Sequence, residues 1–233
     1  MPDFKRRSVL PEKMDEPGVP EKEIIQALAE LEIVNRFLGG YRATLNALKK
    51  ILRSNNAITI MDVGCGGGDM LRVISKWTSE KKKEIKLIGV DWNPFIIGFA
   101  TKKSKDFRNI SYKNLSVWDN ELLDEKADII INSLFCHHFD DDQLVKLIKR
   151  MCYLTRQAII INDLDRSPIA YYSIKVITSV FSKSYLVKYD APLSVARALT
   201  RSEWYNILQR AGIHQFQIKW MWAWRWQIVI NKQ

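Results

Sequence analysis

The stretch Ala57-Ile-Thr-Ile-Met-Asp62-Val-Gly64-Cys-Gly66-Gly67-Gly68-Asp69 constrains this chain more than any other. Ile58 and Ile60 flank Thr59 in an apolar, β-branched run that reads as a buried strand. Gly64, Gly66, Gly67 and Gly68 follow almost at once, and Met70 to Ile74 open a helical pattern. A glycine turn between strand and helix lets a ligand approach backbone that a Cβ would shield. In an open α/β sheet such a turn lies at the carboxyl end of a strand, where ligands bind. The dinucleotide fingerprint G-x-G-x-x-G would need glycine at position 69, but Asp69 stands there, and its charge is badly placed for a pyrophosphate. No Gly-Lys-Ser/Thr follows, which excludes a P-loop.

A second strand, Ile85 to Val90, ends at Asp91. That carboxylate is placed to accept both ribose hydroxyls of an adenosine. Asp91-Trp92-Asn93-Pro94 then starts a helix, with Asn93 as N-cap, Pro94 at the first helical position and Trp92 free to border the adenine.

Asp62-x-Gly64-x-Gly66-x-Gly68, followed by Asp91, resembles the first two motifs of class I S-adenosylmethionine-dependent methyltransferases. That cofactor has no phosphate, and its ammonium and sulfonium suit acidic side chains around the turn. The resemblance covers about Ile58 to Lys232. It implies an α/β fold, a Rossmann-like doubly wound seven-stranded sheet whose last hairpin strand is antiparallel. It also implies that Asp119 accepts from the adenine amino group while Trp118 stacks on the ring. The cofactor set it implies also takes in Asp62, Gly64, Gly66, Gly68, Asp91, Trp92, Asn93 and, at the end of the fourth strand, Asn132. Arg42, at the break between two N-terminal helices, is either a surface residue or a clamp on the cofactor carboxylate.

Proline and turn residues make the first 20 or so positions irregular. Ile24, Ile25, Leu28, Leu31, Val34 and Leu38 then mark a helix that Gly39-Gly40 ends, and Leu45, Leu48 and Leu52 mark another. The division expected is an N-terminal extension over 1–56 and a methyltransferase domain over 57–233. A lid insertion is expected at about 168–200, where the long apolar helix Ile169 to Phe181 precedes Asp190-Ala-Pro-Leu-Ser-Val-Ala-Arg197. Thr200-Arg-Ser-Glu203 fits a capping box. Trp220, Trp222, Trp224 and Trp226 alternate, so they share one side if their strand is continuous.

Asn132-Ser133-Leu134-Phe135 has no proline, unlike the Asn/Asp-Pro-Pro-Tyr/Phe motif of adenine and glutamine N-methyltransferases. Nucleic acid is therefore not the expected partner. His137-His138-Phe139 is similar to the small-molecule branch. Met14-Asp-Glu-Pro17, Asn35 to Gly40, Asp163-Leu-x-Arg166-x-Pro168 and Asp190-x-Pro192-Leu-Ser194 resemble a bacterial subgroup associated with type III polyketide synthases, whose members are thought to methylate phenolic lipids. The resemblance implies O- or C-methylation of a small, apolar, aromatic or phenolic acceptor. A phenol, with a pKa of about 10, calls for a base, and His137 and His138 are the candidates. Asp163, Asp165 and Arg166 are candidates for orienting the acceptor. A lipid acceptor would bring the apolar helix against a membrane surface.

The net charge of +10 and the tryptophans support a rival, an RNA methyltransferase. A cofactor-binding module without catalysis is the other. Lys81-Lys82-Lys83, the densest basic run, reads as a solvated loop. Cys65, Cys136 and Cys152 show no metal-ligand spacing, so reduced thiols and no metal site are expected. No apolar leader is readable near the N-terminus, and the cytoplasm is the expected compartment.

Overall fold

The computed structural model describes residues 3–52, 57–81 and 83–232. Two helices, α1 (Glu21–Phe37) and α2 (Gly40–Ile51), precede the sheet. Then come β1 (Ala57–Val63), α3 (Asp69–Glu80), β2 (Glu84–Asp91), α4 (Pro94–Lys103), β3 (Ile110–Asn114), β4 (Ala127–Ser133), α5 (Asp141–Leu154) and β5 (Thr155–Leu164). The chain ends with α6 (Pro168–Phe181), α7 (Tyr185–Arg197), α8 (Arg201–Arg210), β6 (Phe216–Met221) and β7 (Arg225–Asn231).

The sheet order is β3-β2-β1-β4-β5-β7-β6, with β7 antiparallel to both its neighbours. The expected seven-stranded topology is the one observed. Its central strands are apolar on both faces because helices cover both. Met61, Ile130 and Ile159 pack under α5 and α8 with Trp204, whereas Ile60, Ile129, Ile131 and Ile160 face α2 and α3. Successive residues thus enter opposite cores, as strand geometry requires. Strand order reverses between β1 and β4, and the carboxyl edge at this switch point carries the cleft.

Local signals held where they were chemical. Asn93 caps α4, its Oδ1 accepting from Phe95 N and Ile96 N at 3.0 and 3.3 Å. Thr200 and Glu203 form a capping box on α8. The Lys81-Lys82-Lys83 run lies between α3 and β2, with Lys82, like Pro2, outside the described residues.

The N-terminal helices pack onto the sheet, and α2 buries Ala47 and Leu48 in the same core as β1. Residues 3–20 lack regular strands but run as a strap across the carboxyl edge. Ser8 N donates to Ala196 O at 3.0 Å, and Lys13 N and Met14 N donate to the Asp190 carboxylate at 2.8 and 3.0 Å. The four tryptophans do not share one side, because their strand is not continuous: a turn separates β6 from β7. Trp220 and Trp222 are exposed and Trp226 is buried. Trp224 sits in the turn with φ +47°.

The stretch expected as a lid insertion folds as two helices, α6 and α7, with Asp190 to Arg197 in the second half of α7. Ile169, Tyr172, Val176 and Val180 on α6 face solvent, while Ala170 faces inward. No helix among the described residues is long and apolar enough to cross a membrane.

The β6–β7 turn is fastened to the break between α1 and α2: Ala223 N donates to Leu38 O at 3.2 Å. Gly39 has φ +73°, and a Cβ there would stand 2.2 Å from the Trp222 carbonyl oxygen. Gly39→Ala should lower stability by at least about 2 kcal/mol in urea unfolding. Gly18→Ala has a similar φ of +86° but open space around it, and isolates the backbone cost of about 1 kcal/mol.

Candidate active site

The glycine turn is shaped by what surrounds it. Gly64 has φ +73°, and a Cβ would meet the Phe135 ring at 2.4 Å. Gly64 N and Cys65 N donate to Val90 O, which ties the turn to β2. Gly66 N donates to Asp91 Oδ2 at 3.1 Å, so the two motifs are bonded to each other. Arg72 holds the outer side, donating to Gly67 O at 2.6 Å and Glu32 at 3.0 Å.

Inside this turn lies a cavity of ≈ 140 Å³, lined by Asp62, Gly64, Gly66, Asp69, Tyr41, Asn35, Asn162 and Arg225 among others. Its polar groups are unfinished. Asp62 Oδ1, Asn162 Oδ1 and Arg225 Nη1 are buried without a hydrogen-bond partner. Burial, then the nearby charges of Asp69 and Asp91, push the Asp62 carboxyl well above the usual carboxylate range. Burial lowers the Arg225 guanidinium to about 10. Arg225 is otherwise fixed by Leu38 O at 3.3 Å and Asn35 Oδ1 at 3.1 Å. A carboxyl oxygen and a guanidinium nitrogen, both buried and unpartnered, suit a zwitterion such as the amino-acid end of S-adenosylmethionine.

A neighbouring cavity of ≈ 410 Å³ is lined by Asp91, Trp92, Ile96, Ser116, Val117, Trp118, Phe135, His138 and Phe139 among others. Burial raises the Asp91 carboxyl, although Asn93 N and Gly66 N donate to it. Trp92 and Trp118 flank this space, and Trp118 meets Phe139 edge-on at 5.7 Å.

Several candidates from the sequence lie elsewhere. Arg42 is exposed and lines neither cavity; Tyr41, one position earlier, faces inward and donates to Asp69 at 2.8 Å. Asn93 is spent on its helix cap. Asp119 turns back on its own loop, accepting from Ser116 N at 2.7 Å, and Ser116 to Trp118 form the wall instead. Asn132 is buried and committed to Val63 O and Cys136 Sγ, bracing β1 against β4. Gly68 stands behind the turn, where a Cβ would meet the Tyr112 hydroxyl at 2.1 Å. Arg166 is also structural: it forks onto Glu203 at 2.8 and 2.6 Å and holds Phe4 O and Ala198 O. Asp165 bridges to Leu199 and lines none of these cavities.

A third, mostly apolar cavity of ≈ 130 Å³ lies under the lid. Leu31, Val34, Ile174, Ile177, Ala191 and Trp224 line its body, and Glu12, His137, His138 and Arg225 its polar end. Met14 and Leu134 border all three cavities, which adjoin one another there. Leu134 holds φ +53°, an uncommon conformation for a branched side chain.

At the polar end, His137 Nδ1 lies 2.7 Å from Asp163 Oδ1 and its Nε2 3.4 Å from Glu12 Oε1. His138 repeats the pattern, with Nδ1 3.0 Å from Asp15 Oδ2 and Nε2 3.7 Å from Glu12 Oε2. The rings stack at 4.6 Å. Burial opposes a charge on His137, but Asp163 and Glu12 outweigh it and raise its pKa to about 10. Burial likewise opposes the Glu12 charge, and His137 and His138 pull it down to about 2. Both His137 nitrogens face carboxylates, Asp163 on one side and Glu12 on the other, rather than standing open to an acceptor. Glu12 and Arg225 had no sequence signal: one sits in the strap, the other in a tryptophan-rich turn.

Fold and cleft together define the class I methyltransferase architecture. Residues 60–158 match the family model described as methyltransferase domain. A search of curated proteins finds no match. Among solved structures, human N-acetylserotonin methyltransferase in complex with SAM is similar at 19% identity and TM-score 0.66, over 91% of this chain and 56% of that one. The plantazolicin methyltransferase BpumL in complex with SAH is 17% identical, TM-score 0.63, over 91% of this chain and 95% of its own. CurJ carbon methyltransferase is 15% identical, TM-score 0.58, over 79% and 51%. The chain thus spans about half the length of the first and third, and at these identities the likeness carries the fold alone. Residues 60–158 thus carry a match to a methyltransferase domain, and the first two of these structures, which share the fold, hold SAM and SAH.

If Arg225 Nη1 receives the cofactor carboxylate, Arg225→Lys should weaken S-adenosylhomocysteine at least about 10-fold in calorimetric titration, the worth of a charge-assisted hydrogen bond. Arg42→Ala should leave the affinity unchanged. The opposite ranking would return the clamp to α2.

Proposed function

We propose that this protein transfers the methyl group of S-adenosylmethionine to a small, largely apolar acceptor with one polar head, of which a phenol is the simplest kind. One observation carries the reading: an apolar cavity under the lid shares Met14 and Leu134 with both halves of the cofactor cleft and ends in Glu12, His137, His138 and Arg225. An apolar cavity of about 150 Å³ holds one benzene ring. The ≈ 130 Å³ here therefore suits a single aromatic ring.

The cofactor supplies a methyl activated on a sulfonium, and the protein's part is placement. Asp62 and Arg225 hold the amino-acid end in opposite senses of charge. Asp91 takes the ribose side, and Trp92 and Trp118 border the base. Leu134 and Met14 form the throat between donor and acceptor, and α6 and α7 keep water out, so that nucleophile and methyl meet in line. Oxygen and ring-carbon methylation both fit this arrangement. The membership proposed here is the subgroup that accompanies type III polyketide synthases, supported by the apolar lid and the strap that carries Met14-Asp-Glu-Pro17.

The test is transfer of a labelled methyl group to a panel of alkylphenols and, in parallel, to RNA. Product on a phenol is expected; product on RNA alone overturns the reading. Ala191→Phe, which fills the cavity, should raise the acceptor KM at least about 10-fold. It should leave cofactor affinity as it was.

A further inference from the structure

We propose that Glu12, His137 and His138 form a divalent-cation site of the zinc type at the polar end of the acceptor cavity, with its remaining coordination positions open to that cavity. The three offer ligand atoms that lie within 4.8 Å of one another. The separations Nε2(His137)–Oε1(Glu12) of 3.4 Å and Nε2(His138)–Oε2(Glu12) of 3.7 Å exceed ordinary hydrogen bonds. They match the edge of a coordination shell: two ligands about 2.0–2.1 Å from a tetrahedral zinc stand about 3.4 Å apart.

The surroundings are those of a metal centre. Each imidazole has its Nδ1 against a carboxylate, Asp163 for His137 and Asp15 for His138. With Nδ1–H donated there, each Nε2 lone pair is presented toward Glu12, the carboxylate–histidine arrangement that orients metal ligands. The backbone beneath is fixed. His137 N donates to Asp163 Oδ2 at 3.1 Å, Arg7 and Arg197 donate to the His137 carbonyl, and Arg197 also to that of His138. Ser194 Oγ donates to Glu12 Oε1 at 2.8 Å. Glu12 and His137 are buried and His138 partly so, and Glu12, Asp15 and Asp163 supply three negative charges around two imidazoles. A dication replaces the protons that otherwise hold this cluster together.

Two imidazoles and one carboxylate leaving open positions are the donor set of catalytic zinc, and nitrogen ligands disfavour magnesium. Resting on the methyl-transfer reading, the bound cation takes the acceptor's hydroxyl oxygen as a further ligand. The O–H bond breaks, its electron pair stays on the oxygen, and the proton leaves to water. A metal-held oxygen needs no side-chain base, which fits a His137 enclosed by carboxylates.

The full chain, stripped with a chelator, is titrated with Zn²⁺ alone by calorimetry, and with Co²⁺ to read the ligand-field spectrum. One ion per chain is expected, with affinity falling at least 100-fold in Glu12→Gln and in His138→Gln. His138 is partly exposed, and His138→Gln should keep the wild-type circular dichroism; Cys152→Ser should bind as the wild type does. Substoichiometric binding, or binding insensitive to both ligand variants, overturns the site. Turnover on a phenol equal in the stripped and zinc-loaded chains overturns the role assigned to it. Zinc binding with no acceptor methylated in either form overturns the methyl-transfer reading while the site stands.

Discussion

Buried negative charge at the carboxyl edge of the sheet governs the rest of this molecule. Asp62, Asp163 and Glu12 are all nearly inaccessible, and Asp91 is close behind. A carboxylate removed from water costs several kcal/mol unless charge and hydrogen bonds compensate it. The protein meets that cost in two ways. Around His137 the compensation is internal, with imidazole between carboxylates and guanidinium groups on the backbone behind. Around Asp62 it is incomplete: Asp62 and Arg225 line one cleft, and each keeps a buried polar atom, Oδ1 and Nη1, without a hydrogen-bond partner.

The cover over this edge is assembled from distant parts of the chain. The strap brings Glu12, Met14 and Asp15; α6 and α7 roof the acceptor cavity; the β6–β7 turn closes its side with Trp224 and Arg225. Asp190 is the fastener, its carboxylate accepting from two successive strap amides. Burial raises that carboxyl to about 6 even so, a measure of how dry the junction is. Leu134 stands in a left-handed conformation where the three cavities meet. Strain of that kind persists only when its surroundings over-determine it, and here the residue that bears it lines all three cavities.

The glycine turn and Asp91 were legible because their chemistry is local. A strand, a turn with positive φ and an acidic strand end are written in adjacent residues, and helix caps at Asn93, Asp140 and Thr200 obey the same local rule. Sites that depend on where a side chain points were less legible. Arg42 and Tyr41 are neighbours in sequence, yet a helix turns them about 100° apart, and only Tyr41 faces the cleft. Asp119 follows β3 and Asn132 lies near the end of β4, as expected of ligand residues, but their groups are taken by Ser116 N and by Val63 O and Cys136 Sγ.

The sequence by itself determined the order of strands and helices, the glycine turn and the acidic pair Asp62 and Asp91, because period, turn chemistry and capping act over a few residues. Only the tertiary structure decided the polar lining of the cavity under α6 and α7. Glu12 and His137 are 125 positions apart, and Asn35 and Arg225 are 190 apart. No spacing rule spans such distances. What brings these groups together is the docking of strap, lid and hairpin on one sheet edge, driven by apolar burial that is indifferent to the chemistry it encloses.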